Sequence, residues 1–431
     1  MEYVARIIDR QLDAMMSVLP AICLEGAKGV GKTATAKRRT PVVFSLDDDE
    51  TYEIVSGNPS VIGHGETTVF IDEWQYVPSV WNIVRHMVDD GVPPGRFLLA
   101  GSTKPRLSAG KDSGPLARMH SGAGRIVRLV MRPLSMPERG IEQPTVSLSE
   151  LLTGDKPDIH GTTDVVVNDY VDEILMSGFP GIRASHPDGR RFLLRSYIDR
   201  IPDHDIGEMG EQVRRPQSLL NWLAAYGAAT ATTTSYSTLL NAATPGEDEK
   251  PSRPTAISYR DLLQRLWILD PLPAWTPGFG HLDRLALSPK HHFVDPALAA
   301  ILVGATPETL IRGGQPPGIN RDGTFLGALF ESLAVATVRV LAEAAGAKTF
   351  HFRLQGGDHE TDIIVERPDR RVLAIEVKLS TTVRPADVKD LNWLDEKITG
   401  LLVDKVILNT GTRAYRRPDG VAVIPLSLLG P

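Results

Sequence analysis

The most specific chemistry in the chain is carried by Gly26-Ala27-Lys28-Gly29-Val30-Gly31-Lys32-Thr33, a full match to the spacing G-x-x-x-x-G-K-[ST]. The residue types suit one task. Gly26, Gly29 and Gly31 let the backbone turn tightly, with its N–H groups aimed at phosphate oxygens. A helix opening at Thr33 adds the partial positive charge of its N-terminus. Lys32 then pairs with β- and γ-phosphates, and Thr33 places a hydroxyl on Mg²⁺. The ligands implied are ATP and Mg²⁺.

Two strand ends downstream complete the constellation. Val69-Phe70-Ile71 is a buried-strand run ending in Asp72-Glu73. A carboxylate at the end of a strand beside the phosphate loop holds Mg²⁺ through water (Asp72), and the next one can polarise the attacking water (Glu73). Phe97-Leu98-Leu99-Ala100 ends in Gly101-Ser102-Thr103, where Ser102 can sense the γ-phosphate or orient the water. Arg118 and Arg125 follow in a Gly/Ser-rich setting. They are either solvated surface arginines or a finger reaching the nucleotide of a neighbouring subunit, and the second reading implies a homo-oligomer. The single cysteine, Cys23, precedes the loop on a strand and is expected in the core.

A second group of acids lies near the C-terminus. Glu376-Val377-Lys378 ends the apolar run Val372–Ile375, and strand alternation puts Glu376 and Lys378 on one face. Asp362 sits on the preceding strand candidate. Neighbouring strands are ~4.8 Å apart, so Asp362 and Glu376 can converge on a second Mg²⁺ or Mn²⁺. Glu331, on a long helix before them, offers a third carboxylate. Lys378 would position or deprotonate a water, or stabilise charge on a phosphate. The plainer alternative is a Glu/Lys ion pair opposite an acidic strand.

The elements that position these groups are legible as periodicity. Apolar runs at Ala21–Leu24, Val42–Leu46, Val69–Ile71, Phe97–Ala100 and Ile126–Val130 alternate with helical segments such as Val80–Val88, the pattern of a mostly parallel sheet covered by helices. Glu142–Thr163 reads as a connection. Helix candidates follow at Val165–Met176, Arg190–Ile201 and Leu219–Tyr226. Pro245–Pro254 reads as a loop, Pro271–Pro289 as a hairpin or long loop, and Ala305–Gly323 as a linker. Phe325–Ala345 is a long helix, apolar on most faces. Strands follow at Thr349–Arg353, Thr361–Val365, Val372–Val377 and Lys405–Leu408, with a helix at Asp387–Leu394.

At 431 residues the chain is too long for one core, and 42 % hydrophobic with 23 % charged residues excludes collagen-like and disordered classes. The net charge of −6 confines any nucleic-acid site to a local patch. Arg214–Val294, with eight basic against six acidic residues, is mildly basic. The charged start, with Glu2, Arg6, Asp9, Arg10 and Asp13, does not read as a secretory signal, and no apolar run of membrane-spanning length stands out. The expectation is a cytoplasmic protein with no membrane partner.

These motifs together resemble the prokaryotic AAA-type ATPases that carry a P-loop domain first and a C-terminal domain of unknown function last. The resemblance spans roughly residues 1–400. It includes the phosphate loop, Phe70–Glu73, Leu99 to Ser102, Gly124-Arg125, and Arg132-Pro133-Leu134-Ser135 with Glu138. It continues through Ser177-Gly178-Phe179-Pro180, Tyr197 to Asp205, His291 to Asp295, Gly327 to Glu331, His359 to Asp362 and Ile375 to Lys378. What it implies is ATP binding, a winged-helix middle and an end similar to PD-(D/E)xK endonucleases. Gly181 stands where the family usually has an acid, and Thr230–Pro254 is less regular than the family's helix-turn-helix.

The expected fold is therefore α/β: an AAA-type P-loop parallel sheet (residues 1–140), a helical connection (141–213), a winged-helix-like domain (214–304) and an endonuclease-like α/β domain (305–431). The expected function is ATP hydrolysis coupled to nucleic acid, with DNA met by the middle and C-terminal domains and cleavage gated by ATP as one version. The alternative is an ATP-dependent protein-interaction switch with an inert nuclease-like domain.

Overall fold

A computed structural model describes residues 3–103, 122–243, 253–277, 288–313 and 324–431; Arg118 lies outside them. The chain packs as two units. Unit 1 is Met1–Arg132 with two later segments, Asp205–Glu211 and Leu262–Ile268; unit 2 is Pro133–His204, Gln212–Asp261 and Leu269–Pro431. Pattern alone predicts four consecutive domains. It does not show that short segments from the middle join the first unit, each bringing buried apolar side chains such as Ile206, Leu263 and Ile268.

Unit 1 is built on β1 (Ala21–Glu25), β2 (Val42–Ser45), β3 (Val69–Asp72), β4 (Phe97–Gly101) and β5 (Val127–Val130), all parallel, in the order β2-β3-β4-β1-β5. β1, β3 and β4 are buried at every position, as strands covered on both faces must be. Helices α1 (Ile7–Met16), α2 (Lys32–Lys37), α3 (Asp49–Gly57) and α4 (Ser79–Asp89) surround the sheet. Val80, Trp81 and Val84 form the buried stripe of α4, and Trp81 packs on Trp74 with centroids 4.7 Å apart. Cys23 is a core residue with its thiol pKa pushed up by burial. β4 lies between β1 and β3, pairing both through Phe97. The strand bearing Asp72 is thus one place removed from the phosphate-loop strand.

Unit 2 begins with β6 (Val146–Ser147), α5 (Leu148–Leu151), α6 (Val167–Met176), α7 (Pro180–Arg183) and α8 (Pro187–Arg200); α9 (Ile206–Glu208) belongs to unit 1. Then come α10 (Pro216–Ala228), α11 (Tyr236–Ala242), α12 (Arg253–Arg265, which counts with unit 1 from Leu262 on), α13 (Pro296–Leu302), α14 (Pro307–Ile311) and α15 (Phe325–Ala344). The irregular stretch Thr230–Pro254 hides the start of α11, where Ser235 caps by accepting from the Thr238 N–H at 3.2 Å. The supposed linker Ala305–Gly323 contains α14, capped by Thr306. Between α12 and α13 two extended segments meet in antiparallel bridges, Leu269 with Phe293 and Leu272 with Lys290.

The C-terminal sheet has β7 (Lys348–Arg353), β8 (Glu360–Glu366), β9 (Val372–Lys378), β10 (Leu402–Asn409), β11 (Tyr415–Arg416) and β12 (Ala422–Pro425), in the order β11-β12-β10-β9-β8-β7; β13 (Leu429–Gly430) pairs with β6. β7, β8 and β9 run antiparallel, whereas β9, β10 and β12 are parallel. Helix α16 (Lys389–Lys397) buries Leu391 and Leu394. α15 is long and apolar enough to cross a membrane by length and composition, with mean hydropathy 1.7, contrary to the expectation of no such run. It is largely buried here, with thirteen of its residues inside the unit.

Several motifs behind the family resemblance are structural joints of unit 2. Asp295 is buried and accepts from Ser177 Oγ (2.8 Å), the Gly178 N–H (2.6 Å) and the Ala297 N–H (2.8 Å). The Leu134 N–H donates to the Gly178 carbonyl at 2.7 Å. A Cβ on Gly178 would lie 2.8 Å from the Leu134 carbonyl oxygen, so only glycine fits that crossing.

Unit 2 also buries three histidines. Burial lowers His291 and His351 to about 4, and burial beside Lys290 holds His292 well below the ordinary imidazole range. Between pH 6.5 and 4 the unfolded chain takes up protons that these native side chains refuse. Each therefore removes about 1.4 kcal/mol of stability per pH unit as the solution is acidified. Glu331 and Glu376, both raised by burial, act oppositely as the pH falls, two groups against three. The urea midpoint of the unit 2 transition is expected to fall between pH 6.5 and 4.5; a flat or rising midpoint would contradict this.

Candidate functional site

The phosphate loop joins β1 to α2. Gly29 and Gly31 have φ of 79° and 102°, the left-handed region that favours glycine. A Cβ on Gly26 would lie 2.2 Å from the Met131 carbonyl oxygen, so the turn runs hard against the chain leaving β5. Arg6 fixes it further, donating to the Val30 carbonyl (2.8 Å) and the Arg132 carbonyl (2.6 Å). Nothing in the local sequence marks Arg6 for this. Lys32 is 5 % exposed and its ammonium donates to the Gly26 and Ala27 carbonyls at 2.8 and 3.0 Å. Burial holds its pKa below the ordinary lysine value against the pull of Glu73 and Asp72.

Although β4 intervenes, the Thr33 hydroxyl donates to Asp72 Oδ2 at 2.7 Å. Burial pushes the Asp72 carboxyl up, partly offset by that bond, and Asp72 Oδ1 is buried with no hydrogen-bond partner. A hydroxyl, a carboxylate and an unsatisfied oxygen facing a phosphate loop fit a hydrated Mg²⁺. Glu73 follows with φ 48°, a conformation that non-glycine residues rarely adopt and that clusters at functional sites. Its Oε2 accepts from Ser102 Oγ at 3.0 Å and from Gln75 Nε2. The three strand ends expected from the sequence therefore meet, with Gln75 as an unforeseen member.

Lys28, inside the loop, is held by Asp205 Oδ1 (2.8 Å) and Glu208, from a late segment of the same unit. Arg125 sits elsewhere. It precedes β5, whose Val127 pairs with Ile22 at the start of β1, and it bonds Asp89 at 2.8 Å. It thus lies at the edge of the sheet opposite the phosphate loop of its own chain.

In unit 2 the pairing of Ile363 with Ile375 brings Asp362 across from Glu376 one step along. Lys378 donates to Glu376 Oε1 at 2.7 Å, as same-face alternation requires. The cation between the acids is Lys290. Its ammonium bonds Glu331 Oε1 (2.9 Å), Glu360 Oε1 (2.7 Å) and Asp362 Oδ1 (2.8 Å). The second Asp362 oxygen accepts from the Val377 N–H at 2.9 Å, and the second Glu360 oxygen from Arg353 at 3.0 Å. Glu376 Oε2 is buried without a partner. The expected residues Glu331, Asp362 and Glu376 are brought together, but Lys290 takes an oxygen from two of them, and the set does not fit a divalent cation as it stands.

A central parallel sheet, a glycine turn closed by a lysine, and an acid-tipped strand bonded to the loop threonine define a P-loop nucleotide domain. Residues 19–139 match the family model described as AAA domain, and the N-terminal part is an AAA-type P-loop domain. Residues 167–309 match a domain of unknown function (DUF8612) and residues 326–429 another (DUF4143). Uncharacterized proteins of Mycobacterium bovis and Mycobacterium tuberculosis are each similar at 23% identity over 414 residues, covering 94% of this chain and 80% of theirs. Among solved structures, the Walker-type ATPase of Pyrococcus abyssi is similar with TM-score 0.37 and 16% identity, over 68% of this chain and 94% of that one. The ORC2 protein of Aeropyrum pernix, solved in ADPNP–ADP complexes, has TM-score 0.24 and 14% identity, over 62% and 84%.

Proposed function

We propose that this protein is an ATP-hydrolysing AAA-type switch acting with nucleic acid through its middle and C-terminal regions. The hydrolytic half rests on one observation: two hydrogen-bonded pairs, Thr33 with Asp72 and Ser102 with Glu73, are brought side by side by the adjacent residues Asp72 and Glu73, next to Lys32. Thr33 and Asp72 would hold Mg²⁺, which neutralises phosphate charge when bound. Lys32 exchanges its two carbonyl contacts for β- and γ-phosphate oxygens. Glu73 accepts the proton of the attacking water once its oxygen is shared with that water instead of Gln75, and Ser102 keeps the carboxylate oriented. Arg125, remote from its own loop and paired with Asp89, is either a surface ion pair or a finger for the nucleotide of a neighbouring copy, and only the second makes self-association part of this reading.

The nucleic-acid half is supported by the mildly basic Arg214–Val294 stretch and by the sheet and carboxylate pattern of the last domain, which we read as endonuclease-like. A second reading, an interaction switch with an inert nuclease-like domain, is favoured by Lys290 lying among the acids. ATPase rate measured with and without DNA at low salt separates them: stimulation supports the first, and indifference to every single- and double-stranded probe supports the second. In either case Glu73→Gln is expected to keep ATP binding and slow hydrolysis about 100-fold or more, the contribution of a general base. An unchanged rate would remove Glu73 from the mechanism.

A further inference from the structure

We propose that the ammonium of Lys290 is the resident cation of the carboxylate cluster in unit 2, standing where a divalent metal would otherwise bind. A protonated lysine has three N–H donors, and here each reaches a different carboxylate, from α15 (Glu331) and from two positions of β8 (Glu360 and Asp362). The side chain is 2 % exposed. A charge so placed is tolerated only with full pairing, and the three acids outweigh the cost of burial and keep the lysine protonated.

The arrangement is not a passing rotamer. Lys290 and Leu272 exchange both backbone hydrogen bonds at 2.9 Å, and His291 and His292 on the same strand are buried. The main chain is therefore fixed, and the three carboxylates hold the ammonium at the end of its stem. Mg²⁺ binds oxygens at about 2.0–2.1 Å in near-octahedral geometry. An ion reaching the same oxygens of Glu331 and Asp362 would have to take the volume and the lone pairs that the ammonium already holds. Glu376 adds a further oxygen: its Oε2 is buried and unpartnered beside the cluster, and stands available to an ion once the Lys290 ammonium is removed. Removing the amine while keeping its stem should then create a divalent site.

The experiment uses the nucleotide-free full-length chain carrying Asp72→Asn, which removes the phosphate loop's contribution, with Mn²⁺ binding followed by electron paramagnetic resonance. No stoichiometric Mn²⁺ is expected with Lys290 in place. Lys290→Met is expected to bind one Mn²⁺ at least tenfold more tightly, and addition of Asp362→Asn should abolish the gain. If Lys290→Met folds only when Mn²⁺ is added, the proposal is supported equally. Tight Mn²⁺ binding with Lys290 intact, lost on Asp362→Asn, overturns the proposal whether or not the Lys290 variant folds. A folded Lys290→Met chain that binds no Mn²⁺ overturns it too. Neither readout involves ATP turnover, so failure here leaves the nucleotide-site reading untouched.

Discussion

Lys32→Ala is expected to weaken ATP binding roughly 100-fold, about 2.7 kcal/mol, while leaving the fold intact. The binding loss follows from removing a buried cation that faces two phosphates, where charge-assisted hydrogen bonds are strongest. The tolerance of the fold follows from the same burial. Desolvation already disfavours the Lys32 charge, and its partners in the loop are only two backbone carbonyls, so alanine removes a strained charge instead of a structural tie. Titration with a fluorescent ATP analogue, together with thermal melting, measures both halves. Equal affinities for the variant and the unaltered chain would sink the nucleotide assignment.

The largest effect on stability is expected from Asp362→Ala. Asp362 accepts from Lys290 with one oxygen and from the Val377 N–H with the other. Truncation orphans a backbone donor and takes one of three counter-charges from a buried ammonium. Lys290 cannot readily escape by losing its proton, because Glu331 and Glu360 still hold it. Breaking a buried ion pair in this one-sided way costs about 3–5 kcal/mol. Denaturant unfolding followed through Trp275, in the core around the C-terminal sheet, and Trp393, packed against it, should show the loss in unit 2. A change below about 1 kcal/mol would mean that Asp362 is not a structural partner of Lys290.

The contrast between the two sites explains what the sequence could reveal. The phosphate loop is written in contiguous residues whose spacing is the function, and its partners stand at strand ends marked by apolar runs. Asp72, Glu73 and Ser102 were therefore legible, as were the five parallel strands to within a residue or two. Strand order was not, because β4 inserts between β1 and β3 through pairings that no local pattern encodes. Lys290 precedes its partners Glu331, Glu360 and Asp362 by 41, 70 and 72 positions, on a short strand held by isolated bridges, so periodicity gives it no signal. Similarly, Ser177-Gly178 and Asp295 looked like family markers and proved to be one hydrogen-bonded joint.

The discontinuous make-up of unit 1 bears on the order in which the protein can mature as it is synthesised. Its five strands are complete by Val130, yet Asp205 and Glu208, which hold Lys28, and the apolar segment ending at Ile268 belong to the same body. At ~5–20 residues per second, the ribosome needs roughly ten seconds or more to deliver them. During that interval all five strands are available to form their ladder, while the phosphate loop still lacks the two acids that hold Lys28. A chain ending shortly after Arg132 would keep every nucleotide motif and remain arrested in that intermediate condition.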